Sequence, residues 1–178
     1  MESSVIHLGD FFHGMKANYD NPTGKEVTLI WDYPADLPAL KTDCVKLKHI
    51  VENLINNAIK FTEVGNVVIS ARQLRDRSAV MLKVTDTGIG IPSAALPFIF
   101  DKFYQVDASQ TRTYGGVGLG LHVVKKFTEL LGAEIEVESQ QNKGSTFTLT
   151  LPLSFEKDSR FASRPVAESN RSAPPIPA

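Results

Sequence analysis

The sequence has little cysteine, no long apolar run and no block of like charge. Cys44 is the one cysteine among 178 residues, which excludes an internal disulfide and a cysteine-rich zinc site and favours a reducing compartment. No apolar run approaches the roughly 20 residues that a membrane-spanning helix needs. We therefore predict a cytoplasmic chain without membrane contact of its own, which leaves open a membrane anchor elsewhere in a longer parent protein.

The formal net charge of −1 argues against nucleic acid as a partner, because nucleic-acid binding needs a basic surface. With 42% hydrophobic residues the chain can bury one core, so we predict one domain over residues 1–153. Residues 154–178 are rich in proline, serine and arginine. We expect this tail to be disordered, because it has too little apolar surface to fold.

Apolar periodicity predicts helices over residues 8–19, 43–61 and 118–131, and a shorter helical piece over 95–103. Asp43 suits the N-cap of the second helix, and Gly132 suits the left-handed position after the third. Alternating apolar residues predict strands over 27–31, 66–74, 79–85, 135–139 and 146–153. This order favours an α+β two-layer sandwich, in which helices cover one face of a mixed, mostly antiparallel sheet.

The second predicted helix carries a stripe of amide and lysine side chains. At about 100° per residue, Asn53, Asn57 and Lys60 fall within a narrow arc opposite the apolar face. Asparagine is a mediocre helix former, so three asparagines within residues 53–57 need an explanation. One explanation is a solvent-exposed face. The other is a binding site, because amide oxygens suit Mg²⁺ and a lysine suits phosphate oxygens.

Asp86 ends an apolar strand and begins the glycine-containing stretch "DTGIGIP" (86–92). Strand alternation places its side chain on the same core-facing side as the apolar residues before it. Burying a carboxylate without hydrogen-bond donors is costly, so some group must donate to it. Backbone amides of the glycine turn are one source. The exocyclic amino group of a base is another, and Gly88 and Gly90 would let its planar ring approach the backbone.

A second glycine-rich turn, "YGGVGLGL" (114–121), leads directly into the third predicted helix. Free amide groups at such a helix start favour an anion. The turn is a weak signal alone. Its spacing is not the dinucleotide fingerprint G-x-G-x-x-G, and the Walker sequence "GK[ST]" is missing, so two common nucleotide-binding folds are disfavoured.

Five segments, in this order, resemble the boxes of sensor histidine kinases, which have the Bergerat-type ATP-binding fold of the GHKL superfamily. "HIVENLINNAIKFT" (49–62) resembles the N box, "DTGIGIP" the G1 box, "FIFDKFYQVD" (98–107) the F box, "GGVGLGL" (115–121) the G2 box and "GSTFTLTLP" (144–152) the closing strand motif. The resemblance covers about residues 11–153. The F box separates the chain from the related gyrase, mismatch-repair and chaperone ATPases, and argues against an anti-sigma-type serine kinase.

The resemblance implies a site for ATP and Mg²⁺. Asn57 would be the Mg²⁺ ligand, Asn53 would support it from one turn earlier, and Lys60 would touch the phosphates. Asp86 would accept a hydrogen bond from the adenine amino group. Residues 104–116 would form a lid over ATP. The other residues that the resemblance assigns to the nucleotide are Phe61, Gly88, Gly90, Ile91, Gly116, Gly118, Leu119, Gly120 and Thr148.

Two positions depart from the family pattern. Many relatives carry arginine at the position of Gln105, where it can reach the γ-phosphate, and threonine at the position of Val117. Gln105 is still assigned to the nucleotide site. Arg112 or Lys102 would then supply the cation that phosphoryl transfer needs.

The resemblance implies transfer of the γ-phosphoryl group of ATP to a histidine on a dimerisation helix. None of His7, His13, His49 and His122 lies in a phosphoacceptor motif. We therefore expect a monomeric fragment that does not autophosphorylate, with the acceptor on another segment. The implied partners are the histidine-bearing dimerisation domain of a homodimeric parent kinase and the receiver domain of a response regulator. The alternative is a nucleotide-binding regulatory or docking module with weak or no kinase activity.

Overall fold

The computed structural model describes residues 3–19, 25–76, 78–106 and 117–153. The predicted tail, 154–178, lies outside these residues. Three α-helices occur in the described part: α1 (Leu8–Ala17), α2 (Cys44–Phe61) and α3 (Gly120–Leu130), with a short 3₁₀ turn at Leu96–Phe98. The strands are β1 (Ser4–His7), β2 (Glu26–Asp32), β3 (Ala39–Thr42), β4 (Val64–Gln73), β5 (Ala79–Asp86), β6 (Glu134–Gln140) and β7 (Gly144–Pro152).

Five strands form one mixed sheet in the order β2-β4-β5-β7-β6. Strands β2 and β4 run parallel, because α2 lies between them in the chain and carries it back across the sheet. The other three pairings are antiparallel. Strands β1 and β3 pair separately as an antiparallel ribbon. The predicted α+β fold with a mixed, mostly antiparallel sheet is confirmed.

The hydrophobic core lies between α2 and one face of the sheet. Apolar side chains of α2, including Leu47, Leu54 and Ile55, are fully buried. In β5 and β7 alternate side chains are buried, and those between them are half-exposed. The helices therefore cover one face of the sheet, as predicted from the period-2 pattern. Among the described residues, no helix is both long and apolar enough to cross a membrane.

Two local predictions were incomplete or wrong. Strands β1 and β3 were not predicted, because each has only four residues and the two pair across more than 30 residues of chain. The helix predicted over 95–103 is only a 3₁₀ turn at Leu96–Phe98. Pro97 lies within that turn, and Phe103 has a φ of 61°, a left-handed value that no α-helix accommodates.

Both ends of α2 are held by side chains. At its start, the predicted N-cap Asp43 is confirmed, since its Oδ1 accepts a hydrogen bond from the Lys46 amide (3.1 Å). At its end, Nζ of Lys25 donates to the carbonyl oxygens of Lys60 (2.8 Å), Thr62 (3.3 Å) and Ile59 (3.4 Å). These carbonyls have no partner further along the helix, so the ammonium group stabilises the helix terminus.

We expect Lys25→Met to lower the free energy of unfolding by about 1 kcal/mol, because it removes the ammonium group from these carbonyls and keeps the apolar stem. Urea denaturation measures the change. Lys126→Met is the matched control, since its ion pair with Glu129 joins two exposed side chains and contributes little. Equal losses in the two variants would contradict a capping role for Lys25.

Candidate functional site

A cavity of about 510 Å³ opens at one end of the α2–sheet interface. Its walls come from the end of α2, the loop that follows β5, the start of α3 and the β6–β7 turn. Most of the lining is apolar and includes Ile99, Leu121 and Phe147. The polar residues that line it are Asn57, Lys60, Asp86, Tyr104, Gln105, Gln141, Asn142 and Ser145. Such a pocket, apolar with a few polar groups, is typical of a small-molecule site.

Asp86 lies in the wall of this cavity with 7% of its surface exposed. Its Oδ1 accepts hydrogen bonds from the amides of Gly88 (2.9 Å) and Ser145 (3.3 Å). Among the described residues, no group donates to Oδ2. Burial raises the pKa of this carboxyl group above its usual value, and the two amide hydrogen bonds offset part of that increase. The protein thus satisfies one oxygen and leaves the other for a donor in the cavity.

Both glycines of the loop after β5 pack so closely against other backbone atoms that a larger residue would not fit without a shift. A Cβ atom on Gly88 would overlap the carbonyl oxygen of Phe61 at the end of α2. A Cβ atom on Gly90, whose φ is 65°, would overlap the carbonyl oxygen of Gln140. We predicted that both glycines leave room for a planar ring. Their close packing against backbone carbonyl groups is a second reason for glycine at these positions. The loop is wedged between α2 and the β6–β7 turn.

The amide and lysine stripe of α2 divides into two groups. Asn57 and Lys60 line the cavity, and Nζ of Lys60 lies 4.7 Å from the centroid of the Phe61 ring. Asn53 faces the start of α3, where a Cβ on Gly120 would lie 2.9 Å from its Oδ1. Asn56 points elsewhere, because its Oδ1 accepts a hydrogen bond from the Tyr19 hydroxyl group (3.1 Å). Burial lowers the pKa of Lys60.

Residues 117–120 bring the start of α3 to the cavity. Gly118 has a φ of 72°, and its carbonyl oxygen accepts a hydrogen bond from the amide of Phe103 (3.0 Å). A Cβ on Gly118 would lie 2.9 Å from backbone atoms of Phe103 and Tyr104. The first amides of α3 have no partner within the helix and carry the positive end of its dipole. This end of the cavity is therefore suited to an anion.

Most of the predicted site residues meet in this cavity. Those that line it are Asn57, Lys60, Phe61, Asp86, Gly90, Ile91, Gln105, Gly118, Leu119 and Gly120. Asn53 and Gly88 lie directly behind the lining, against Gly120 and Phe61 respectively. Arg112, Gly116 and most of the predicted lid lie outside the described residues.

The structure places two predicted nucleotide-binding residues away from the cavity. Thr148 pairs with Lys83 and Glu136 across the sheet, and its neighbours Phe147 and Leu149 point into the core. Its side chain therefore lies on the opposite face, and the prediction for Thr148 is wrong. Lys102 is exposed and is not part of the described lining.

Sequence reasoning missed Ser145 and Phe147 of β7 and the turn residues Gln141 and Asn142. The signal for the first two was present, because β7 alternates and its inward positions are 145, 147 and 149. Nothing in the sequence alone showed that the β6–β7 turn folds against the loop after Asp86. That contact joins residues more than 50 positions apart.

Residues 42–154 match the model of the family described as "Histidine kinase-, DNA gyrase B-, and HSP90-like ATPase". The chain belongs to this family. The match includes the Asp86 loop, α2, α3 and the β6–β7 hairpin, which together build the cavity. The resemblance to the catalytic ATP-binding domain of sensor histidine kinases is confirmed.

Relatives within this family are sensor kinases. The autoinducer 2 sensor kinase/phosphatase LuxQ of Vibrio vulnificus (strain CMCP6) is 46% identical over 118 residues, which make up 64% of this chain and 14% of LuxQ. LuxQ of Vibrio harveyi is 38% identical over 158 residues, 85% of this chain and 18% of that protein. The sensor histidine kinase RcsC of Salmonella typhimurium is 37% identical over 130 residues, 72% and 14% respectively. The chain thus spans less than a fifth of the length of these relatives.

Solved structures of histidine kinases share the fold. Full-length ShkA in complex with AMPPNP has a TM-score of 0.74 at 25% identity, over 85% of this chain and 31% of ShkA. The catalytic domain of the histidine kinase ThkA has a TM-score of 0.71 at 21% identity, over 86% of this chain and 97% of that domain. Because the identity to ThkA is only 21%, that similarity shows a shared fold and no more.

The raised pKa of Asp86 predicts how Asp86→Asn changes stability with pH. As pH rises past the ordinary carboxyl range, the unfolded chain loses its proton before the folded chain does, so ionisation of Asp86 lowers the free energy of unfolding. Asparagine does not ionise, and its Oδ1 can still accept from Gly88 and Ser145. The variant should therefore gain stability relative to wild type as pH rises above the ordinary carboxyl range, as measured by urea denaturation.

Asp76→Asn is the control with the opposite sign. Hydrogen bonds from the amide and hydroxyl groups of Ser78 lower the pKa of Asp76, so ionisation of this carboxyl group stabilises the folded state. This variant should lose stability relative to wild type as pH rises through the ordinary carboxyl range from below, and the difference should then stay constant at higher pH. The same trend in both variants would show that burial does not control Asp86.

The wedged loop predicts opposite effects for two Gly→Ala substitutions. Gly88→Ala should lower the free energy of unfolding by roughly 1–3 kcal/mol, because its Cβ overlaps the Phe61 carbonyl oxygen. Gly14→Ala in α1 should raise it by about 0.5–1 kcal/mol, since nothing lies within 4 Å of its Cβ and alanine favours a helix. Urea denaturation of both variants measures the difference. A neutral Gly88→Ala would show that the loop can move away from α2.

Proposed function

We propose that this chain is the catalytic part of a sensor histidine kinase, which binds ATP with Mg²⁺ and donates the γ-phosphoryl group to a histidine on a dimerisation helix of its parent protein. The histidine-bearing dimerisation domain is its direct partner, and the receiver domain of a response regulator accepts the phosphoryl group afterwards. The observation that carries the proposal is the polarity of the cavity, which has an acceptor at one end and an anion site at the other.

The acceptor end recognises the base. Two backbone amides hold Oδ1 of Asp86, which fixes the carboxyl group in the wall of the cavity. The exocyclic amino group of adenine is a donor that fits its Oδ2, whereas guanine presents a carbonyl oxygen at the same ring position and would leave the carboxylate unpaired. Apolar residues on either side, Ile91 and Phe147, would contact the ring.

The anion end holds the phosphates. Lys60 and Asn57 line the cavity, and the start of α3 lies beside Asn57, since a Cβ on Gly120 would lie 4.0 Å from its Nδ2. In the described part of the lining, Lys60 is the only cation. Its lowered pKa reflects an apolar surrounding, in which a phosphate oxygen is a strong partner for the ammonium group.

The residues present fit a Mg²⁺ ion that the nucleotide brings with it. Asn57 presents an amide group to the cavity, and the side-chain oxygen of Asn53 faces the same corner while its amide group donates to the His49 carbonyl oxygen (2.8 Å). The described residues hold no cluster of three His, Cys, Asp or Glu side chains for a metal. The remaining ligands would be phosphate oxygens and water, the usual set for Mg²⁺. Bound there, the ion would neutralise phosphate charge.

A second candidate function is a nucleotide-binding regulatory module without kinase activity. Two observations favour it. Gln105 lines the cavity where many kinases have arginine, and Lys102 is exposed outside the described lining. If no further cation reaches the γ-phosphate, binding would survive and transfer would be slow, because charge neutralisation provides much of the rate of phosphoryl transfer.

Calorimetric titration of ADP and AMPPNP, with and without Mg²⁺, tests the binding part. We expect binding by wild type and a loss of at least about tenfold in Asp86→Asn, because an amide donor replaces the acceptor that faces the amino group. Asp32→Asn is the matched control, since Asp32 also ends a strand but pairs with Arg72 on the exposed sheet edge. Binding that is equal in Asp86→Asn and wild type would exclude this base recognition.

Phosphotransfer to a separately supplied dimerisation domain tests the catalytic part. Asn57→Ala should abolish transfer, whereas Asn56→Ala should preserve it, because the neighbouring Asn56 contacts Tyr19 and not the cavity. Nucleotide binding without transfer to any histidine-bearing helix would favour the regulatory module. Equal activity of the two variants would contradict the role of Asn57.

A further inference from the structure

The loop that carries Asp86 is fastened to the β6–β7 hairpin at three points. The amide of Asn142 donates to the carbonyl oxygen of Ile89 (2.7 Å). The amide of Ile91 donates to Oγ of Ser139 (2.8 Å). The amide of Ser145 donates to Oδ1 of Asp86 (3.3 Å). The first contact joins two backbone atoms, and the third joins a backbone amide of the hairpin to the Asp86 side chain. Ser139 is therefore the residue of the hairpin whose side chain takes part in these three contacts.

The hydroxyl group of Ser139 uses its full hydrogen-bonding capacity. It accepts from the Ile91 amide, donates to the carbonyl oxygen of Gly144 (2.9 Å), and lies 2.9 Å from Oγ of Ser145, which can donate to it. A hydroxyl group has one donor and two acceptor sites, and all three are occupied. Such a group holds its three partners in a fixed arrangement.

Ser139 occupies the last inward-facing position of β6. The preceding inward positions, Ile135 and Val137, are apolar and pack against the core. An apolar side chain at 139 would continue the pattern and would leave the half-buried Ile91 amide without an acceptor. The polar residue at this position therefore serves the loop and not the sheet.

We propose that Ser139 is a positioning residue for the adenine nucleotide. By fixing the Ile91 amide, it sets the distance between Ile91, which lines the cavity, and the Asp86 carboxylate at the start of the same loop. The contact of Gly90 with the Gln140 carbonyl oxygen and that of Gly144 with the Asp86 carbonyl oxygen leave no space to slide one segment past the other. The proposal rests on the proposed function, because it assumes that the loop binds adenine.

The test compares Ser139→Ala with Thr146→Val. Each substitution deletes one hydroxyl group from the β6–β7 hairpin and keeps the carbon skeleton almost unchanged. The hydroxyl group of Thr146 lies 3.1 Å from that of Thr85, and strand alternation places it on the face of β7 opposite to Ser145 and Phe147. We expect Ser139→Ala to weaken ADP binding about five- to tenfold in calorimetry, and Thr146→Val to bind like wild type. Ser139→Thr, which keeps the hydroxyl group, should recover most of the affinity.

Amide hydrogen exchange distinguishes a local effect on the loop from a general loss of stability, because it compares two amides in the same variant. In Ser139→Ala the Ile91 amide should exchange faster, whereas the amide of Leu82 in the middle of β5 should not. Wild-type affinity in Ser139→Ala, or faster exchange at both amides, would overturn the positioning role. If wild type itself binds no adenine nucleotide, the proposed function fails, and the role of Ser139 fails with it.

Discussion

The Asp86 carboxylate joins two parts of the chain that lie 59 residues apart. One oxygen accepts from the loop amide of Gly88 and from the β7 amide of Ser145, so a single atom fixes the loop to the sheet. The cost of burying the carboxylate, visible in its raised pKa, is partly offset by these two donors. A donor in the cavity would remove the remaining cost. The carboxylate is therefore both a link between the loop and the sheet and a polar group in the wall of the cavity.

The end of α2 meets the same loop from the other side. The Ile89 amide donates to the Phe61 carbonyl oxygen (3.1 Å), and Gly88 packs on that carbonyl group. Since Lys60 and Asn57 lie on the last two turns of α2, the position of the helix end sets the distance between the base end and the phosphate end of the cavity. The Lys25 cap of α2, the close packing of Gly88 and the hydrogen bonds of the Asp86 carboxylate therefore all help to fix the distance between the two ends of the cavity.

Much of this arrangement was predictable from residues that act locally. The stripe of α2 follows from helical period, and the inward direction of Asp86 follows from strand alternation. Other features depend on contacts between distant segments. Ser145 and Asn142 reach the site only because the β6–β7 hairpin folds onto the Asp86 loop. Thr148 failed because membership of a motif does not fix the face of a strand, whereas the alternation of Phe147 and Leu149 does.

The parallel pairing of β2 with β4 gives the sheet two unlike edges. At one edge, the outward side chains of β6 include Glu134, Glu136 and Glu138, whose charges discourage pairing with another chain. At the other, β2 covers the ten-residue strand β4, although the family match begins only at residue 42. A chain cut at that boundary would keep every described residue of the cavity lining and lose β2. The ten-residue strand β4 would then form the edge of the sheet, so β2 extends the sheet by one strand without contributing to the described lining of the cavity.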